Sequence, residues 1–186
     1  MKVFVYSDVH KQELIIPDKK PDAVLLLGDI DWRDVKRLSN HFTNSFSNPV
    51  PLIGVLGNHD VLDTFVNTNV IHVHGKTVEL NGVIFAGFGG SPRYNNKHNS
   101  AQYEEWEAHE YIRDLKEVDV FLAHSNPAFQ KSFDSTDSHR GFNSFKELLD
   151  KNNVKTFFHG HLHENKEYVY NDTKIVSTYG FREYEL

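Results

Sequence analysis

Five short clusters along the chain contain the side-chain types that bind metal ions in proteins. They are Ser7-Asp8-Val9-His10, Gly28-Asp29, Gly57-Asn58-His59-Asp60, His124 and Gly160-His161-Leu162-His163. The chain has 12 histidines and no cysteine, so a bound metal must use imidazole, carboxylate or carbonyl ligands. Such ligands suit Mn, Fe, Zn, Co or Ni better than calcium or magnesium. The clusters therefore predict a transition-metal site.

Each cluster follows a short apolar run that is typical of a buried strand. The runs extend over Lys2 to Tyr6, Ala23 to Leu27, Pro51 to Leu56, Val118 to Ala123 and Val154 to Phe158. In open α/β sheets, ligands gather beyond the carboxyl ends of the strands. The five clusters should therefore meet in one pocket if these strands lie side by side.

Taken singly, the clusters have ordinary structural explanations. Gly-Asp is a common turn, and a lone histidine such as His124 is more often hydrogen-bonded within the fold than bound to a metal. Gly-Asn-His-Asp and Gly-His-x-His are more specific. All five together, each after a predicted strand, favour a functional site.

The elements that must position these residues alternate between strands and helices. Helices are predicted at Trp32 to Phe46, Ala101 to Glu117 and Phe142 to Lys151, where apolar residues recur at three- and four-residue intervals. Val70 to Phe88 contains turn signals at His74-Gly75 and Asn81-Gly82, and Glu167 to Ser177 contains one at Asn171-Asp172. This pattern predicts an α/β fold in which two mixed sheets pack together with helices outside. Without a visible repeat or linker, residues 1–186 are expected to form one domain.

Composition limits the classes of partner. The formal net charge of −6 argues against broad nucleic-acid binding, which depends on many Lys and Arg contacts to phosphates. A small or locally recognised substrate fits better. The sequence also shows no signal peptide and no apolar run near the roughly 18 residues that cross a bilayer, so we expect a cytoplasmic protein without a membrane partner.

The ordered clusters Asp8-x-His10, Gly28-Asp29, Gly57-Asn58-His59-Asp60, His124 and Gly160-His161-x-His163 resemble the calcineurin-like metallophosphoesterase family. The resemblance implies that family's four-layer α/β/β/α fold, a sandwich of two mixed sheets with flanking helices. It also implies two divalent metal ions. Asp8, His10, Asp29 and His163 would hold one ion, and Asp29, Asn58, His124 and His161 would hold the other.

The function implied by this resemblance is metal-dependent hydrolysis of a phosphate ester, with a small phosphorylated or nucleotide-like substrate. A hydroxide shared by two metals about 3.5 to 4 Å apart would attack the phosphorus in line, with His59 as the general acid. Diesters are favoured over monoesters, because the sequence shows no dense arginine cluster to neutralise a dianion. The alternatives are a phosphomonoesterase or nuclease of the same family, or a non-catalytic metal-binding scaffold.

Other residues around the predicted ligands are candidates for orienting the catalytic histidine and for binding the substrate. Many family members carry an Asp at the position of Trp32 that orients the catalytic histidine, so Asp31 or Asp60 is the candidate partner of His59 here. Arg93 and Arg140 are candidates for phosphate binding, and Tyr94 and His139 could face the leaving group. The remaining histidines are expected to be structural or exposed; they are His41, His72, His74, His98, His109 and His159.

Overall fold

The structure is a computed structural model that describes residues 1–97, 99–116, 118–129, 137–151 and 153–186. Within these residues the chain forms thirteen strands and three α-helices. The strands are β1 (Lys2–Ser7), β2 (Ala23–Leu26), β3 (Leu52–Gly54), β4 (Val70–His72), β5 (Lys76–Leu80), β6 (Val83–Phe88), β7 (Ser91–Pro92), β8 (Gln102–Tyr103), β9 (Val118–Ala123), β10 (Val154–His159), β11 (Lys166–Tyr170), β12 (Thr173–Ser177) and β13 (Gly180–Glu185). The helices are α1 (Trp32–Asn44), α2 (Glu105–Arg113) and α3 (Asn143–Asp150).

The two large sheets are both mixed. The first has the strand order β13-β1-β2-β3-β4, in which β1 to β4 are parallel and β13 is antiparallel to β1. The second has the order β11-β12-β10-β9-β6-β5, with parallel central strands and an antiparallel strand at each edge. The short strands β7 and β8 pair separately. This topology sets the carboxyl ends of neighbouring parallel strands beside one another.

Side-chain alternation along β1 shows how the layers are built. Val3 and Val5 belong to the core between the two sheets, where Phe85 and Leu122 of the second sheet also lie. Phe4 belongs to a different core on the outer face of the first sheet. Since both faces of the strand are buried, its sequence is continuously apolar rather than alternating.

Helices cover the outer face of each sheet. Val35, Leu38 and Phe42 of α1 lie on one helical stripe and pack in the outer core of the first sheet. Asp31 caps α1 by accepting a hydrogen bond from the Arg33 N–H at 2.9 Å. Helices α2 and α3 pack on the second sheet through a separate core. The predicted four-layer α/β/β/α sandwich is therefore confirmed.

Several element boundaries differ from the sequence prediction. The helix predicted at Ala101 to Glu117 begins only at Glu105, because the preceding residues Gln102–Tyr103 form β8 and pair with β7. The turn at His74-Gly75 joins strands of different sheets, whereas Asn81-Gly82 closes a true hairpin between β5 and β6. Strand β13 was not predicted. No described helix combines the length and apolarity that crossing a membrane requires.

Candidate metal centre

The predicted ligand clusters lie at the carboxyl ends of strands from both sheets. Asp8, Asp29 and Asn58 follow β1, β2 and β3 of the first sheet. His124 and His161 follow β9 and β10 of the second sheet. The His161 N–H donates to Asp8 Oδ2 at 2.9 Å, which joins the two edges directly. The site is therefore built where the two sheets meet.

One group of potential ligand atoms surrounds Asp8. Single ligand atoms of Asp8, His10 and Asp29 all lie within 4.8 Å of one another. His10 Nδ1 donates to the Asp29 carbonyl at 3.1 Å, which leaves Nε2 as the nitrogen able to bind a metal. Asp8 Oδ1 is buried without a hydrogen bond to any described residue and lies 3.3 Å from His163 Nε2. Such a buried, unsatisfied oxygen fits a metal ligand.

A second group surrounds His124. Its Nδ1 donates to the Leu27 carbonyl at 2.8 Å, so Nε2 is the nitrogen that faces the site. Nε2 lies 2.9 Å from Asn58 Oδ1 and 3.5 Å from Asp29 Oδ2. The His161 ring centroid is 4.9 Å from that of His124. A ring nitrogen and two oxygens all carry lone pairs, so a proton or a cation must lie between them to make the contacts favourable. This donor set therefore also fits a metal ion.

The close approach of these oxygens and ring nitrogens determines the pKa values of the site. Burial opposes ionisation of Asp29, but the neighbouring His124 holds the pKa of the carboxyl below its usual range. Burial also opposes a charge on His124, yet Asp29 and Asp8 raise the pKa of its ring to about 10. The positive charge of the protonated His124 ring thus offsets the negative charges of Asp29 and Asp8. A divalent cation would replace it.

The backbone holds four of the predicted ligands in the left-handed region. The φ angles are 54° for Asp8, 54° for Asp29, 68° for His161 and 51° for His163. Elsewhere among the described residues, positive φ at non-glycine positions occurs only at Asn and Asp, which tolerate it best. The two histidines therefore hold an unfavourable backbone conformation at the site.

Two glycines leave room for the carboxylates. A Cβ atom on Gly57 would overlap the carboxylate and the backbone nitrogen of Asp29. A Cβ atom on Gly160 would overlap the Ser7 hydroxyl and Asp8 Oδ2. Ser7 itself donates to that oxygen at 2.6 Å. The hydrogen bond by which Ser7 supports Asp8 was not predicted from the sequence.

Asp60 supports the backbone of the site. Its carboxylate accepts N–H groups from Asp29 at 2.9 Å, Ile30 at 3.0 Å and Gly57 at 2.8 Å. Burial and the charge of Asp29 nevertheless raise the pKa of Asp60 to about 7. Asp60 ties the loops after β2 and β3 together.

His59 lies at the exposed rim of the site. Its N–H donates to Asp29 Oδ1 at 2.8 Å, and its ring centroid is 5.7 Å from that of His10. The suggestion that Asp31 or Asp60 orients this ring was wrong. Asp60 is occupied by backbone amides, and Asp31 caps α1 and pairs with Arg33 at 2.9 Å.

The two candidate arginines bond to neighbouring protein groups. Arg93 pairs with Glu104 at 2.8 Å and donates to the Gln102 carbonyl at 2.8 Å. Arg140 is exposed and donates to the Arg93 carbonyl at 3.1 Å. Neither guanidinium group has a contact with a predicted metal ligand.

Tyr94 and His139 each contact a predicted ligand. The Asn58 Nδ2–H donates to the Tyr94 hydroxyl at 3.0 Å, so that Asn58 Oδ1 faces His124. The His139 ring centroid is 4.8 Å from that of His161. The sequence singled out both residues but could not show which contacts they make.

Most of the other histidines lie away from the predicted ligands. His41 bonds to Ser45, His109 pairs with Glu147, and His72 and His74 lie among aromatic rings. His159 is fully buried, and burial lowers its pKa to about 4. His98 lies outside the described residues. An unpredicted aromatic, Tyr179, stacks on His163 with ring centroids 5.0 Å apart.

Comparisons with known proteins identify the family and the fold. Residues 1–165 match the family model described as calcineurin-like phosphoesterase. TT1561 of Thermus thermophilus has a TM-score of 0.63 at 16% identity, with 96% of this chain and 89% of that chain covered. Phosphopantetheinyl hydrolase (PptH) from Mycobacterium tuberculosis has a TM-score of 0.68 at 11% identity, with 96% and 89% covered.

A larger relative is the putative 5'-nucleotidase from Staphylococcus aureus, solved in complex with alpha-ketoglutarate. Its TM-score is 0.58 at 12% identity, and the match covers 98% of this chain but 50% of the nucleotidase chain. At these identities the solved structures demonstrate a common fold only. No curated protein sequence matched the chain. Because the family model extends over residues 1–165, the chain belongs to the calcineurin-like phosphoesterase family.

Proposed function

We propose that this protein hydrolyses a phosphate ester with the help of two divalent cations, and that it prefers diesters. The observation that carries the proposal is the meeting of oxygen and nitrogen ligands from both sheets around Asp29, with Asp8 Oδ1 unsatisfied among the described residues. Family membership supports the reaction class. The neighbours named as a phosphopantetheinyl hydrolase and a putative 5'-nucleotidase support a small phosphorylated substrate.

The proposed ligands divide into two sets that share Asp29. Asp8, His10, Asp29 and His163 would hold one ion, and Asp29, Asn58, His124 and His161 would hold the other. When bound, the cations would acidify water and neutralise charge on the phosphoryl oxygens. Manganese, iron, zinc, cobalt and nickel all suit this donor set.

The protein's own groups would keep these ligands in position. His10 Nδ1 is held by the Asp29 carbonyl and His124 Nδ1 by the Leu27 carbonyl. Each bond fixes the ring so that Nε2 faces the ligands of the site. Tyr94 similarly holds the Asn58 amide.

We assign the role of general acid to His59. Its backbone is anchored to Asp29 Oδ1, while its ring makes no hydrogen bond to any described residue. An exposed imidazole can donate a proton to a leaving oxygen. The ring lies beside that of the proposed ligand His10, and it is therefore at the rim of the ligand cluster.

The diester preference rests on the lack of a free arginine cluster among the described residues. A phosphate-binding role for Arg93 or Arg140 stays a prediction. The substrate would have to displace Glu104 from Arg93, and the Arg93 carbonyl from Arg140. A diester carries one negative charge and a monoester carries two, so a diester needs fewer positively charged side chains for binding.

A metal-reconstitution assay tests the proposal. The full chain would be stripped with a chelator, reloaded with manganese and analysed for bound metal, with an expected content of up to two ions per chain. Rates would then be compared on an aryl phosphodiester and an aryl phosphomonoester. We expect activity only after metal addition, with the diester hydrolysed faster. Full activity without metal would refute the proposed mechanism, and a monoester preference above about tenfold would refute the substrate preference.

A further inference from the structure

A pocket opens beside the proposed general acid. It has a volume of about 390 Å³ and is lined by Asn58, His59, Asp60, Lys97, Asn99 and Ser100. This volume lies within the usual range for small-molecule sites. Since His59 forms part of its wall, the pocket adjoins the position where a leaving group would depart. Its lining should therefore contact the alcohol portion of the substrate.

The exposed positive charge in the lining of this pocket belongs to Lys97. Lys97 is exposed and forms no ion pair with any described residue. The acidic group in the lining, Asp60, is buried and accepts hydrogen bonds from three backbone N–H groups. Asn99 and Ser100 are neutral. In a chain with a net charge of −6, an unpaired lysine beside the site creates a local preference for an anion.

The loop that carries Lys97 is held by a buried glutamine. Gln102 Oε1 accepts from the Tyr94 N–H at 3.1 Å, and Gln102 Nε2 donates to Asn95 Oδ1 and to Ser100 Oγ, both at 2.9 Å. The Lys97 N–H donates to the same Asn95 oxygen at 3.0 Å. These bonds order the loop before a ligand arrives, which reduces the entropy lost on binding.

The loop is also fixed to the metal centre. The Ser100 hydroxyl donates to the Asn58 carbonyl at 2.5 Å, while Tyr94 holds the Asn58 side chain. Asn58 is thus hydrogen-bonded to Tyr94 on one side of Lys97 in the chain and to Ser100 on the other. These hydrogen bonds therefore set the position of the Lys97 backbone relative to the proposed ligands.

We propose that Lys97 binds a second phosphate group, carried by the alcohol that the enzyme releases. The inference rests on the proposed function and narrows its substrate class to esters whose leaving alcohol is itself phosphorylated. The first phosphate would lie at the proposed metal ligands, the body of the alcohol in the pocket beside His59, and the second phosphate at the Lys97 ammonium.

Binding measurements test this assignment without requiring turnover. Calorimetry on manganese-loaded full chain would compare thymidine bisphosphate, phosphorylated on both hydroxyls, with thymidine monophosphate, phosphorylated only on the secondary hydroxyl. We expect the wild type to bind the bisphosphate about tenfold more tightly than the monophosphate, because one charge-assisted hydrogen bond changes the dissociation constant by about that factor. Lys97→Met should reduce this ratio to near one, and Lys97→Arg should restore most of it.

The matched control is Lys20→Met. Lys20 is also exposed and forms no ion pair with a described residue, but it does not line the pocket. This variant removes the same charge and should keep the wild-type ratio. An unchanged ratio in Lys97→Met, equal losses in both variants, or no binding of either ligand to the wild type would overturn the inference. Lys97-dependent binding without hydrolysis of any ester would refute only the proposed function.

Discussion

At the scale of single residues, Asp29 contacts two proposed ligands, His10 and His124, and the proposed general acid His59. Its Oδ1 accepts from the His59 N–H, its Oδ2 faces His124, and its carbonyl accepts from His10. A carboxylate in this position can serve two cations, whereas Asn58 offers a single neutral oxygen. The two side chains should therefore differ in their importance to the site.

We predict that Asp29→Asn reduces activity by about a hundredfold or more, above the loss that a changed supporting residue usually causes. Asn58→Ala should cause a smaller loss, because it removes a neutral ligand of one ion. Metal content per chain and kcat/KM measured on the same preparations would check this order. Equal losses would contradict the assignment of Asp29 as the shared ligand.

His59 allows a test that depends on the substrate. If its ring protonates the leaving oxygen, His59→Gln should slow hydrolysis of esters with poor alkoxide leaving groups by about a hundredfold. The loss should shrink for nitrophenyl esters, since nitrophenolate departs without a proton. Metal content should remain at the wild-type level. A uniform loss across leaving groups, or an accompanying loss of metal, would favour a structural role for His59.

The residue types of the site could be predicted from the sequence, but several of their contacts could not. Asp8 and His10 stand out because ligand types recur after apolar runs. Asp60 was considered as a partner of His59, whereas its carboxylate binds amides that lie 30 and 31 positions earlier. Contacts between residues so far apart depend on how loops fold back, which local spacing does not determine.

At the scale of elements, the parallel strands could be predicted from the sequence. The last strand, β13, and its place in the first sheet could not. Buried parallel strands such as β1 and β9 have mostly apolar sequences. Strand β13 has buried and exposed residues mixed along it, which gives a weak signal. Its place beside β1 depends on long-range pairing, as at Val5 and Arg182. The start of α2 was predicted too early for a related reason. Residues of β8 have the apolar spacing of a helix, but they pair with β7 instead.

Close packing of the strand ends gives an element-scale prediction for Gly57→Ala. The new Cβ would overlap the Asp29 carboxylate and backbone, so the loops after β2 and β3 must separate. We expect the free energy of unfolding to fall by about 1–3 kcal/mol, as for other overpacked positions. Metal affinity should fall at least about tenfold, because Asp29 moves. Denaturant titration and metal analysis would measure the two effects.

Gly82→Ala provides the control for this change. Gly82 has φ of 78° in the β5–β6 turn, and a methyl group added there would have no neighbouring atom within 4 Å. Its replacement should cost about 1 kcal/mol through backbone strain alone. Metal affinity should be unchanged. A loss of metal in both variants would show that general destabilisation, rather than displacement of Asp29, causes the effect.

At the scale of the whole molecule, the proposed ligands connect two sheets that are already held together by an apolar core. Asp8, Asp29 and Asn58 come from the first sheet, and His124 and His161 come from the second. None of these residues belongs to the hydrophobic clusters between or outside the sheets. Folding and metal binding should therefore be separable, with the metal adding stability to a structure that forms without it.

We predict that chelation leaves the protein folded but lowers its melting temperature. Metal at about a hundred times its dissociation constant stabilises the native state by about 2.7 kcal/mol. For a chain of this size that corresponds to about 5–11 °C. Calorimetric melts at increasing manganese concentration would measure the shift, and Asp29→Asn should show little of it. Unfolding on chelation would mean that the metals are required for folding, whereas a melting temperature independent of manganese would contradict metal binding at this site.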